Sequence, residues 1–142
     1  MRVVLDTNVL VSAVISEPGS PAELLRLWEA GCFELAMSED ILSELERVIH
    51  YPKIRPRYSL PEERVQFLMA LLRRHCVWSE VAVHLTAVTD DPTDDRYLEC
   101  ALAAGARYVV SGDSHLLALG SYQGVEILAA AGLVALLRLG QG

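Results

Sequence analysis

The run Val3-Val4-Leu5 stops at Asp6, and the run Tyr108-Val109-Val110 stops at Ser111-Gly112-Asp113. Neither run alternates apolar with polar residues. A strand wetted on one face alternates, whereas a strand covered on both faces stays apolar throughout. Phe33 to Met37 and Val125 to Leu128 read as further strands, and Cys76-Val77-Trp78 as a short one. Segments of helical period separate them, from Asn8 to about Ile15, Ser20 to Gly31, Ser38 to Ile49, Ser59 to about His75, Asp94 to Ala104 and Leu133 to Leu139. Leu116, Leu117 and Leu119 suggest one more short helix. This alternation predicts an α/β fold with a mostly parallel sheet covered on both faces.

Local signals support the boundaries. Ser20-Pro21 reads as an N-cap followed by proline at the first helical position. Ser38 reads as a second cap, with Glu39 and Asp40 in the first turn, where the helix dipole favours acids. Ile41, Leu42, Leu45, Val48 and Ile49 follow at helical spacing. Ser59-x-x-Glu62 has the form of a capping box. Thr89 to Thr93 reads as a polar loop. A chain of 142 residues favours one domain spanning 1–142.

Hydrophobic residues make up 52% and charged residues 22%, a composition that can build a core. The longest apolar stretch, Val125 to Leu137, is too short for a membrane span and is broken by Glu126 and Gly132. An acid at position 6 interrupts the apolar core a signal peptide needs. A cytoplasmic location with no membrane partner is expected. Cys32, Cys76 and Cys100 are odd in number and lack CxxC spacing, which argues against a disulfide framework or a zinc site. The histidines His50, His75, His84 and His115 show no ligand spacing.

The formal net charge is −7, which disfavours indiscriminate binding to phosphate backbones. The charge is uneven, however. Arg47, Lys53, Arg55, Arg57, Arg64, Arg73 and Arg74 form a basic middle, opposed there only by Glu62 and Glu63. Lys53, Arg55 and Arg57, in a loop marked by Pro52 and Pro56, could steer RNA or bind a protein partner.

In parallel α/β sheets, ligands bind outside the carboxyl ends of the strands. Asp6 and Asp113 occupy two such ends. Carboxylates brought together need a proton or a cation between them, and Mg²⁺ or Mn²⁺ is the natural choice for oxygen ligands. Helix capping is the competing use of either acid. Asp95, Leu98 and Leu102 share one helix face, so Asp95 points toward the sheet; Asp94, four residues before Leu98, is not excluded by geometry. Glu44 and Glu46 both flank the apolar stripe of their helix, and spacing does not choose between them. Tyr97 and Leu98 read as packing residues. Leu68, Leu71 and Leu72 could form a face for a homodimer or higher oligomer, although core is the commoner use of such a stripe.

Four segments together resemble the motifs of PIN-domain nucleases. Val4-Leu5-Asp6-Thr7-Asn8-Val9-Leu10 is similar to their opening motif, and Ser38-Glu39-Asp40-Ile41-Leu42-Ser43-Glu44-Leu45 to the second. Asp91-Pro92-Thr93-Asp94-Asp95-Arg96-Tyr97-Leu98-Glu99-Cys100-Ala101 is similar to the third, and Tyr108-Val109-Val110-Ser111-Gly112-Asp113 to the fourth. The order is right and nearly the whole chain is covered. The resemblance is closest to the bacterial group of toxin components of toxin–antitoxin pairs, relatives of VapC ribonucleases. It implies a three-layer α/β/α sandwich around a parallel sheet of about five strands, and Mg²⁺- or Mn²⁺-dependent cleavage of single-stranded RNA. It also implies a small antitoxin partner. By resemblance, Asp6, Glu44, Asp95 and Asp113 are the catalytic metal ligands, with Glu44 taken over Glu46. Thr7, Asn8, Asp94 and Ser111 are expected to orient those carboxylates or a water. The Ser-Gly-Asp ending, where many relatives have Thr and Asn, is a departure from the family pattern.

Other classes fit less well. A haloacid-dehalogenase-like phosphatase needs a second aspartate two residues after the first, where this chain has Asn8. A receiver domain needs a lysine after a late strand, and the only lysine is Lys53. A PIN scaffold that binds RNA or protein without cutting is the remaining alternative, against which the intact set of four acids argues.

Overall fold

The computed structural model describes residues 1–15, 19–50, 62–81, 85 and 92–141. The expected basic loop with Lys53, Arg55 and Arg57, the capping box at Ser59 and most of the loop at Thr89 to Thr93 lie outside these residues. The described elements are β1 (Arg2–Leu5), α1 (Thr7–Ile15), α2 (Ser20–Glu29), β2 (Glu34–Met37), α3 (Glu39–Ile49), α4 (Glu62–His75), β3 (Val77–Trp78), α5 (Pro92–Ala104), β4 (Tyr108–Val110), α6 (Ser114–Leu119), β5 (Ser121–Tyr122), β6 (Val125–Leu128) and α7 (Ala130–Gln141).

The strands form one sheet in the order β3-β2-β1-β4-β6-β5. β1 lies in its middle and pairs in parallel with β2 and with β4, Leu5 standing opposite Val110. Val3, Val4 and Leu5 are almost wholly buried, as a strand covered on both faces requires. α1 packs against α2 and α3, and α2 against α7, while α5 lies across β1, β2, β4 and β6. The result is the expected three-layer α/β/α sandwich.

Two local expectations need correction. Gly19, not Ser20, is the N-cap of α2, and it offers no side-chain bond. The sheet has a sixth strand, β5, which runs antiparallel to β6. The chain reverses there through Gln123 and Gly124, with φ of +47° and +87°. Positive φ at both central residues is what a two-residue type I′ hairpin turn demands, and Gly124 meets it without steric cost. A two-residue strand is too short to register as a pattern.

Ser38 caps α3 as expected, its hydroxyl accepting from the Ile41 amide at 3.4 Å. Ile41, Leu42, Leu45 and Ile49 of α3 are buried, as are Leu68 and Leu72 of α4. The α4 stripe is therefore mainly core, with Leu71 only partly buried. Among the described residues no helix is long and apolar enough to cross a membrane. Cys100 is buried, and Cys32 and Cys76 are partly so. Burial pushes the Cys76 thiol up to about 12 and that of Cys100 to about 11, which makes both poor nucleophiles.

Leu98, wholly buried on α5, ties that helix to the sheet. Leu98→Ala is expected to lower the unfolding free energy by about 2–5 kcal/mol in urea titration. Leu139→Ala, at a position 79% exposed, should change it by no more than about 0.5 kcal/mol.

Candidate active site

Because β1, β2, β4 and β6 are parallel, their carboxyl ends share one edge of the sheet. The pairing continues past the strands. The Asp6 amide donates to the Val110 carbonyl at 2.9 Å, and the Ser111 amide to the Leu128 carbonyl at 3.0 Å. Asp6 and Ser111 are thereby fixed side by side.

Asp6 is 3% exposed. Its Oδ1 accepts the Asn8 amide at 2.8 Å, and its Oδ2 accepts the Ser111 hydroxyl at 2.7 Å. Its carbonyl accepts the amides of Val9 and Leu10. Asp6 therefore starts α1 and also presents a carboxylate at the sheet edge, so capping accounts for only one of its side-chain oxygens. Burial pushes its pKa up, with the nearby Glu44 charge adding to the rise. Hydrogen bonds from Ser111, Asn8 and Tyr97 oppose the shift.

Glu44 comes to this edge from α3. The Tyr97 hydroxyl lies 2.9 Å from Glu44 Oε2 and 3.0 Å from Thr7 Oγ1. The Thr7 amide donates to the same phenol oxygen at 3.3 Å, and Thr7 Oγ1 lies 3.4 Å from Glu44 Oε2. A carboxylate can only accept, so the Tyr97 and Thr7 hydroxyls are the donors that face Glu44 Oε2, and the Thr7 amide donates to the phenol oxygen. Burial and the charges of Asp6 and Glu44 raise the Tyr97 pKa, which keeps the phenol protonated as a donor. Arg96 Nη1 adds an ion pair to Glu44 Oε2 at 3.3 Å, and the exposed Arg47 lies 3.7 Å from Oε1. Glu46 points elsewhere and pairs with Arg73 on α4. The two glutamates that spacing could not separate thus face different neighbours, Glu44 toward Tyr97 and Thr7 and Glu46 toward Arg73.

Asp113 N-caps α6, its Oδ1 accepting the amides of His115 at 2.8 Å and Leu116 at 3.2 Å. Its own amide donates to Ser111 Oγ at 3.0 Å, so Ser111 bridges Asp113 to Asp6. Asp95 is 2% exposed, which matches the inward face expected of it. Its Oδ2 accepts no hydrogen bond, while the residue makes other polar interactions. Asp94 is also buried.

Of the expected residues, hydrogen bonds join Asn8, Asp6, Ser111 and Asp113 in one set and Thr7 and Glu44, through Tyr97, in a neighbouring one. Among the described residues, no three acidic, histidine or cysteine side chains are drawn together closely enough to hold one ion. The donor chemistry nevertheless suits a hard divalent cation. Asp6 and Glu44 are oxygen donors close enough for mutual repulsion to raise the Asp6 pKa, and a cation between them would cancel that repulsion.

Tyr97 was expected only to pack, and Arg96 gave no sequence signal; both bind Glu44. A buried tyrosine needs a partner for its hydroxyl, and that was the available clue.

The raised pKa of Asp6 has a definite consequence for stability. The folded chain holds the Asp6 proton to higher pH than the unfolded chain, whose value is near 3.8. Above both values the ionised carboxylate lowers stability, and below both it does not. Asp6→Asn should therefore melt higher than the wild type at neutral pH in metal-free buffer. The gap should close as pH falls toward about 4. Paired thermal melts across pH check this; a variant that melts lower at neutral pH contradicts it.

The fold resembles one solved chain in the structure described as VapBC2 from Rickettsia felis bound to a DNA fragment from their promoter, with a TM-score of 0.58 and 17% identity over 89% of this chain and 97% of that one. No curated protein matches the sequence. The sequence profile of the PIN domain matches residues 2–115, and the chain belongs to the PIN-domain family.

Proposed function

We propose that this protein is a divalent-metal-dependent endoribonuclease that hydrolyses phosphodiester bonds in single-stranded RNA. The observation that carries the reading is the buried Asp6 carboxylate held beside Glu44 at the carboxyl edge of the sheet. PIN-domain membership and the VapBC2-like fold support a cytoplasmic toxin made with a small antitoxin. An oligomer, a homodimer or larger, accords with the same reading.

Asp6 and Glu44 would hold Mg²⁺ or Mn²⁺, with Asp95 and Asp113 as the further acids of the set. The ion would supply charge neutralisation at the phosphate and an acidified water. The protein's own groups do the positioning. Ser111 fixes Oδ2 of Asp6 and the amide of Asp113 at once, Thr7 and Tyr97 orient Glu44, and the Asn8 amide holds Oδ1 of Asp6. Asp94 would support Asp95 from the same helical turn. Lys53, Arg55 and Arg57 would draw RNA toward an acidic centre that otherwise repels it.

Incubation of the purified protein with labelled single-stranded RNA, with Mn²⁺ and with chelator, tests the reading. Metal-dependent fragments are expected. Asp6→Asn should abolish them with an unchanged circular dichroism spectrum, and Ser111→Ala should slow cleavage by about 10–100-fold. Binding without cleavage would replace this reading with that of a non-catalytic PIN scaffold.

A further inference from the structure

Arg96 is the one basic side chain that α5 directs into the candidate site. It follows Asp95 and precedes Tyr97, and its side chain is 25% exposed. Its Nη1 reaches Glu44 Oε2 at 3.3 Å and the Asp40 carbonyl at 3.4 Å. Both contacts use the same nitrogen, and neither engages Nη2 or Nε. Arginine presents a rigid planar fork of donors that matches the oxygens of a phosphate. One corner of the fork is anchored to α3, and among the described residues no contact engages the rest of it.

The surroundings supply the reason for such a group. Asp6, Asp94 and Asp95 are buried and Glu44 is nearly so, so an RNA phosphate approaching this edge meets like charge. Arg47 also pairs with Glu44, but at 3.7 Å and with its side chain 73% exposed. It is a solvent-exposed charge at the rim, whereas Arg96 sits on α5 and holds α3 at two points. An ion pair kept only to steady Glu44 would duplicate what the Tyr97 hydroxyl already does at 2.9 Å.

We propose that Arg96 is the phosphate-binding residue of the site, anchored by Glu44 and the Asp40 carbonyl and contacting a backbone phosphate of single-stranded RNA with the rest of its guanidinium. The inference rests on the nuclease reading for the identity of the ligand, but its test does not require cleavage.

The test is fluorescence anisotropy of a labelled single-stranded RNA oligonucleotide with the full chain in chelator, from low to physiological salt. Arg96→Gln should bind about tenfold more weakly. It should also lower the slope of log affinity against log salt by about 0.7, the value for one phosphate contact on a single strand. Arg96→Lys should keep the slope while losing part of the affinity, because the charge stays and the fork does not. Arg26→Gln, which breaks only an exposed pair with Glu23 on α2, should change neither. An unchanged slope in Arg96→Gln, or no binding by the wild type, overturns the proposal. If Arg96→Gln does not fold, Arg96→Lys carries the test, and wild-type affinity there overturns it. Cleavage in Mn²⁺ is assayed in parallel. An Arg96-dependent slope without cleavage refutes the nuclease and leaves the phosphate contact standing; cleavage with an Arg96-independent slope does the reverse.

Discussion

Asp6 loses its water because Val3, Val4 and Leu5 carry it to the end of a strand sealed on both faces. An ionised carboxylate in that place is unfavourable unless donors or a cation compensate it. The surrounding residues supply donors. The Asn8 amide and the Ser111 hydroxyl take one oxygen each, and the pKa stays raised in spite of them. The parallel register of β1 with β4 places Ser111 there, and burial of both strands keeps them at the centre of the sheet. Packing and site chemistry are therefore the same constraint seen from two ends of a strand.

A second carboxylate, Glu44, is brought up to this centre against its repulsion. Burial of Leu42 and Leu45 fixes the rotation of α3, and Tyr97 and Thr7 receive the Glu44 side chain. Arg96 and Arg47 balance its charge. Glu44 has built-in counter-cations and Asp6 has hydrogen-bond donors instead; under the proposed function, part of that pairing would be exchanged for an ion and a phosphate. This local balance reconciles a net charge of −7 with a proposed nucleic-acid substrate.

The sequence made some of this plain. Val3-Val4-Leu5 and Tyr108-Val109-Val110 are strands because nothing in them alternates, and they are parallel because helical segments separate them. The inward face of Asp95 followed from its spacing to Leu98. Capping by Asp113 was one of two uses foreseen for that residue, and its Oδ1 serves it. Glu44 could not be told from Glu46 by period, because both flank the apolar stripe; only tertiary partners, Tyr97 for one and Arg73 for the other, separate them. Tyr97 and Arg96 were missed for the same reason, since a side chain's reach across α5 and α3 is not written in spacing. β5 was missed because two residues carry no period, and its positive-φ turn uses Gln123 where a stronger turn former would have announced it.

Under the proposed function, Asp6 and Glu44 would share a divalent ion. Electron paramagnetic resonance of free Mn²⁺ during titration of the protein measures this without RNA. The wild type should bind Mn²⁺, Glu44→Gln should bind at least about tenfold more weakly, and Glu46→Gln should match the wild type. No binding by the wild type, or equal losses in the two glutamine variants, would contradict the account.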